Sequence, residues 1–170
     1  MAICCTRIRQ VTFILQVTIF SNTFSKTMIR ESFMSDEFTG GCLCGAVRYN
    51  SAEQPVMAAD CYCEDCRKAS GTSHGSHIGI SESAVTVTGT LQSFDKPADS
   101  GNVVSRSFCP TCGSAILSTN SGVPGMVFVR ASSLDDPEIF KPMMSVYGSR
   151  APSWGSPRHE PVFSEMPPRP

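Results

Sequence analysis

Seven cysteines fall in three tight groups, CLC at 42–44, CYCEDC at 61–66 and CPTC at 109–112, and no feature constrains the possible folds of this chain more. Thiols spaced this closely make strained or purely local disulfides. The total of nine is odd, so a complete disulfide framework would leave one thiol over. Thiolates gathered around metal in a reducing compartment fit the spacing better. A chain folded around such clusters must bring distant segments together at fixed points.

Two of the groups have the form of a metal knuckle. CxC at Cys42 and Cys44 is followed by Gly45, and CxxC at Cys109 and Cys112 is followed by Gly113. A knuckle must turn tightly enough for two sulfurs to converge on one ion at about 2.3 Å, and a following glycine permits that twist. Two knuckles together supply four thiolates, a closed tetrahedral zinc set with no position left for a substrate. Its expected role is therefore structural.

The middle group is different, because Cys61, Cys63 and Cys66 come from one local segment and supply only three ligands. Three protein ligands and one open position form the pattern of catalytic zinc. The alternative is that His74, His77 or Asp65 closes the set into a second structural site. Three thiolates also leave a zinc site negatively charged, which favours exchange of a soft thiol over activation of water.

The rest of the chain reads as one mostly β domain. Its 13 glycines and 12 prolines break it into short apolar runs rich in Val, Ile, Phe and Thr. Strands are expected near 45–51, 74–80, 85–88, 91–95, 102–108, 114–118, 126–131 and 142–147. One helical turn is expected at 64–70, closed by Gly71. Trp154 is expected to plug the C-terminal Pro-rich tail onto the domain.

Residues 1–33 differ in composition. Residues 1–30 carry Arg7, Arg9, Lys26 and Arg30 and no acid, whereas from Met34 onward 10 basic residues face 14 acidic ones. An acidic domain without clustered positive charge argues against nucleic acid as a partner. The apolar run at 11–20 is half the length of the roughly 20 residues that a membrane span needs, and Gln16 interrupts it. The segment shares features with signal and transit peptides but has no clear cleavage site. We take 1–33 as an N-terminal extension without a folded role, in which Cys4 and Cys5 are incidental thiols. Residues 34–170 are the domain, and the expected location is cytoplasmic with no membrane association.

The stretches TGGCLCGAVRY, CYCEDCRKASG, FDKPADSGNVVSRSFCPTCGSAI and VFVRASSLDDP closely resemble the glutathione-dependent formaldehyde-activating enzyme family, which includes the centromere protein V type. The resemblance runs from about Thr39 to about Trp154. It implies a β-tent-like fold of small antiparallel sheets with two zinc ions per chain. Cys42, Cys44, Cys109 and Cys112 match the family's structural ligands, and Cys61, Cys63 and Cys66 match its catalytic ones. It further implies a carbon–sulfur lyase that joins a thiol such as glutathione to an aldehyde, or releases one. The centromere-type relatives leave a non-catalytic zinc module for protein partners as the alternative. Tyr62 departs from the pattern, since many members carry histidine between the first two cysteines. Arg67 and Lys68 could attract the carboxylates of a glutathione-like ligand. Arg130 and the Asp135-Asp136-Pro137 turn are expected to cap and orient a loop.

Overall fold

The computed structural model describes residues 37–167. The expected N-terminal extension at 1–33 lies outside the described residues. Ten strands and one α-helix follow in order: β1 Phe38–Gly41, β2 Arg48–Ser51, β3 Met57–Cys61, α1 Glu64–Ser70, β4 Gly75–Ser81, β5 Val85–Thr88, β6 Gln92–Pro97, β7 Val103–Phe108, β8 Ala115–Asn120, β9 Met126–Arg130 and β10 Met144–Val146. The mostly β class read from the sequence is found, with two sheets and one helix. No helix among the described residues is long and apolar enough to cross a membrane.

The smaller sheet has the order β1-β2-β5 and is antiparallel throughout. The larger has the order β10-β3-β4-β9-β8-β7-β6, with every pair antiparallel except β10 with β3. Strand alternation decides what is buried. In β2 Tyr49 and Ser51 turn inward, and in β9 Val127 and Val129 do so. Tyr49, Val127 and Val129 join Val47, Ile78, Ile80 and Ile116 in a single cluster that also takes in Cys42 and Cys109. Burying an aliphatic side chain of this kind contributes about 1.5–3 kcal/mol, so one cysteine of each knuckle, Cys42 and Cys109, is anchored in the core, while Cys44 is exposed.

At the far edge, every residue of β6 is exposed, and the strand ends in Asp95, Lys96 and Pro97. Charge and proline on an edge strand discourage pairing with another chain. At the opposite edge, β10 is covered by the tail: Ser145 donates its amide to Pro161 O, and Phe163 donates to Ser145 O. The Pro-rich tail thus hydrogen-bonds along the sheet edge rather than merely lying over the surface. Trp154 does not plug it, being 69% exposed. The backbone bonds of Ser145 and Gly148 hold the tail instead.

Helix α1 is only seven residues long, too short to persist alone. Cys63 is its N-cap, accepting from the Cys66 amide, with Glu64 and Asp65 in the first turn where the helix dipole favours acids. Gly71 closes it in the left-handed region, as its sequence position predicts. Asp65 then ties it to the large sheet through Lys96 on β6, at 2.5 Å, and Arg106 on β7, at 3.4 Å.

Candidate metal centres

Cys42 and Cys44 lie in the turn between β1 and β2, and Cys109 and Cys112 in the turn between β7 and β8. In each turn the glycine after the last cysteine has a positive φ, 78° at Gly45 and 74° at Gly113. The amide of Gly45 donates to Cys42 O and that of Gly113 to Cys109 O. The two turns are stitched together by the Leu43 amide, which donates to the Ser114 hydroxyl at 3.1 Å. The result brings one knuckle from each sheet to a common point.

The four sulfurs all lie within 4.8 Å of one another. Cys42 and Cys44 sulfurs are 3.5 Å apart, and those of Cys44 and Cys109 are 3.8 Å apart. Two sulfurs held at 2.3 Å from a tetrahedral ion would be about 3.8 Å apart. All four are free thiols, so the donor set and its spacing fit a metal ion such as zinc. Ser114, by its hydroxyl first and then its amide, holds the Cys112 thiol down to about 5, which favours the thiolate that a metal needs.

The second group forms where β3 runs into α1. Cys61 ends β3, paired with Gly75 of β4 on one side and Val146 of β10 on the other. Cys63 caps the helix and Cys66 follows one turn later. Their sulfurs also converge within 4.8 Å, and among the described residues no histidine or carboxylate joins them at that spacing. Hydrogen bonds from Cys61 and then Cys66 pull Cys63 down to about 2, while the same contacts with Cys63 and Cys66 push Cys61 up. Three thiols this close cannot all ionise without a cation among them. The donor set again fits a metal ion.

Of the three candidate fourth ligands, Asp65 and His74 are held elsewhere and His77 lies beside Cys66. Asp65 is committed to Lys96 and Arg106. His74 bonds Ser73 through Nδ1 at 2.8 Å and turns Nε2 toward Asp60. His77 comes nearest, with Nε2 3.6 Å from Cys66 Sγ and 3.2 Å from Arg130 Nη1. Its Nδ1 is buried without a hydrogen-bond partner. Burial, and then the charge of Arg130, push the imidazole down to about 3, so it is neutral at ordinary pH. Lys68 pairs with Glu64 on the exposed face of α1, as a solvated helix pair.

Asp60 had no local signal in the sequence, and Arg130 and Asp135 had one that did not reveal their side-chain partners. Asp60, 3% exposed, accepts from Ser76 at 2.6 Å and faces both His74 and His159. Arg130, expected to orient a loop, does accept from Ser133 through its backbone oxygen. Its side chain, however, is buried beside His77. Asp135 is the partner of Arg48, through both carboxylate oxygens, and also accepts from Thr39. A cavity of about 530 Å³ is bordered by Arg48, Ser70, His74, Ser76, Arg130 and Asp135, and a smaller one of about 190 Å³ by Phe94, Arg106 and Arg130. Neither is lined by Cys61, Cys63 or Cys66; Arg130 borders both.

A family model described as glutathione-dependent formaldehyde-activating enzyme matches residues 37–150. A search of curated proteins finds no match. Among solved structures, the crystal structure of a protein from Rhodobacter sphaeroides is similar, with 21% sequence identity and a TM-score of 0.46. That likeness covers 59% of this chain and 92% of the other.

Proposed function

The chain belongs to the glutathione-dependent formaldehyde-activating enzyme family, and from that premise we propose that it is a zinc-dependent carbon–sulfur lyase acting on a thiol such as glutathione and an aldehyde. The observation that carries this reading is the contrast between the two cysteine groups: four convergent sulfurs in one, and three in the other with no histidine or carboxylate atom within 4.8 Å of all three among the described residues. On this reading Cys42, Cys44, Cys109 and Cys112 hold a structural zinc, and Cys61, Cys63 and Cys66 hold the catalytic one.

Zinc on a three-cysteine set supplies the acidity that keeps an incoming thiol in its thiolate form near neutral pH. In the addition direction the thiol sulfur bonds to the aldehyde carbon, the carbonyl π bond breaks and the proton ends on the former carbonyl oxygen. Nothing is oxidised or reduced. The reverse reaction returns thiol and aldehyde.

The chain's own groups supply position. Asp65, clamped by Lys96 and Arg106, fixes the helix that carries Cys66. Tyr62, 1% exposed, packs its ring on His74 and donates its amide to Val146 O, which fixes the backbone between Cys61 and Cys63. His77 is neutral beside Cys66 and withholds a competing charge. Holding reactants in register in this way lowers the entropic part of the barrier.

Titration of the zinc-loaded protein with glutathione and then formaldehyde tests the reading, with metal coordination and the hydroxymethyl thiol adduct both followed. The expected result is glutathione binding abolished by Cys63→Ser. Absence of thiol binding to the fully loaded protein overturns it and leaves the protein-binding zinc module.

A further inference from the structure

Arg130 carries a fixed charge that the fold leaves without a carboxylate. It is 4% exposed, and no acidic side chain lies within ion-pair distance of it among the described residues. A buried guanidinium without a counter-charge is costly, and its polar contact through Nη1 is with His77. The charge of Arg106 adds repulsion, although Arg106 itself is shared with Asp65.

What faces Arg130 instead is the three-cysteine group. β9 sets Arg130 opposite His77 in the sheet register, and His77 Nε2 lies against Cys66 Sγ. The three side chains close over Gly75. A Cβ there would lie 2.5 Å from Arg130 Nη1, 2.8 Å from His77 Nε2 and 3.3 Å from Cys66 Cβ. The sheet therefore has a glycine where arginine, histidine and cysteine need to meet.

We infer that Arg130 is a positioning residue of the three-cysteine group: its buried charge, set against Cys66 through His77, balances the thiolates and favours a soft anion, a thiolate, as the next ligand. The charge accounting is simple. Three thiolates around a divalent cation carry a net single negative charge, and Arg130 brings the assembly to neutrality. An arriving thiolate then makes it singly negative. Without Arg130 the same arrival makes it doubly negative, which costs more in a poorly solvated site. This inference rests on the proposed function only where it concerns the thiol; the part concerning metal retention stands apart from any chemistry.

The test compares zinc-loaded wild type with Arg130→Gln and Arg130→Lys. Zinc release to a chelator is measured, the phase absent in Cys63→Ser identifying the three-cysteine group. Glutathione binding is read from the thiolate-to-metal absorption of the cobalt-substituted proteins. Arg130→Gln is expected to release that metal at a chelator concentration about 10–100-fold lower and to bind glutathione more weakly. Arg130→Lys, which keeps the charge, is expected to restore both to within a few-fold of wild type. A wild-type release midpoint in Arg130→Gln overturns the inference, as does an Arg130→Lys protein no better than Arg130→Gln. If Arg130→Gln does not fold, Arg130→Lys decides alone: wild-type-like zinc release supports the inference and selective loss of that zinc overturns it. If wild type binds no glutathione, the proposed chemistry fails while the release midpoints still decide the role of Arg130.

Discussion

Tyr62 packs its ring on His74, with centroids 5.0 Å apart and planes tilted by 32°. This is the position at which the family pattern often has histidine, and here the tyrosine is 1% exposed with its amide bonded to Val146 O. The side chain is spent on buried packing against His74. Tyr62→His removes ring volume and buries a polar imidazole in its place. It is expected to destabilise the domain by about 1–3 kcal/mol and to leave the metal content unchanged. Denaturant unfolding with zinc analysis checks both, and a change in stoichiometry at unchanged stability would place Tyr62 in the metal site instead.

Gly75 is the meeting point of Arg130, His77 and Cys66, and its neighbours leave no room for a methyl group. Gly75→Ala must displace at least two of them. Because Gly75 also pairs with Cys61 across β3 and β4, the displacement falls on the three-cysteine group first. The expected outcome is a folded protein that binds metal at the four-cysteine group and loses affinity at the other by about 10–100-fold. Metal titration monitored by cobalt absorption resolves the two groups; equal affinity to wild type at both would contradict the packing argument.

The two cysteine knuckles were legible because everything a knuckle needs is local: the cysteine pair, the spacing and the glycine that follows. The helix at 64–70 was legible for the same reason, through the Gly71 that closes it, though its cap at Cys63 was not. Strand β3, MAADC, was not, because it has no β-branched residue and alternates nothing; it is a strand because β4 and β10 pair with it on both sides. The expected strand at 45–51 begins at Arg48, since Gly45 is spent on the knuckle turn. Strand β1, FTGG, was hidden by its glycines. The surroundings of Cys66 were the least legible part, for Arg130 reaches His77 only through the register of β4 with β9, and no short pattern encodes a register.

Arg48 and then Thr39 hold the Asp135 carboxyl below its usual range. The native pKa is thus lower than the unfolded one, so the unfolded chain takes up the proton first as pH falls. The pair's contribution is fully present above about pH 4 and disappears as pH drops through the native value. Both side chains are 44% exposed, so the effect is screened by salt. Asp135→Asn is expected to melt below wild type at neutral pH and low salt, with the gap closing below about pH 4 and shrinking in high salt. A gap independent of pH would mean that the asparagine loses packing rather than charge.

The two cysteine groups should fail differently, because they join different things. Cys42 and Cys44 belong to the turn of the small sheet and Cys109 and Cys112 to a turn of the large one, and Cys42 and Cys109 are part of the common core. A four-thiolate zinc contributes about 10–16 kcal/mol of apparent binding energy, comparable with the about 5–15 kcal/mol that a whole domain has in hand. Cys112→Ser is therefore expected to abolish cooperative melting or lower it drastically. Cys61, Cys63 and Cys66 join only the end of β3 to a seven-residue helix that Asp65 anchors independently. Cys63→Ser is expected to lose one of two zinc ions while keeping a cooperative transition, the cost being confined to α1. Calorimetry with zinc analysis on both variants decides the matter. A Cys112→Ser melt indistinguishable from wild type removes the structural role, and global unfolding of Cys63→Ser removes the division of labour between the groups.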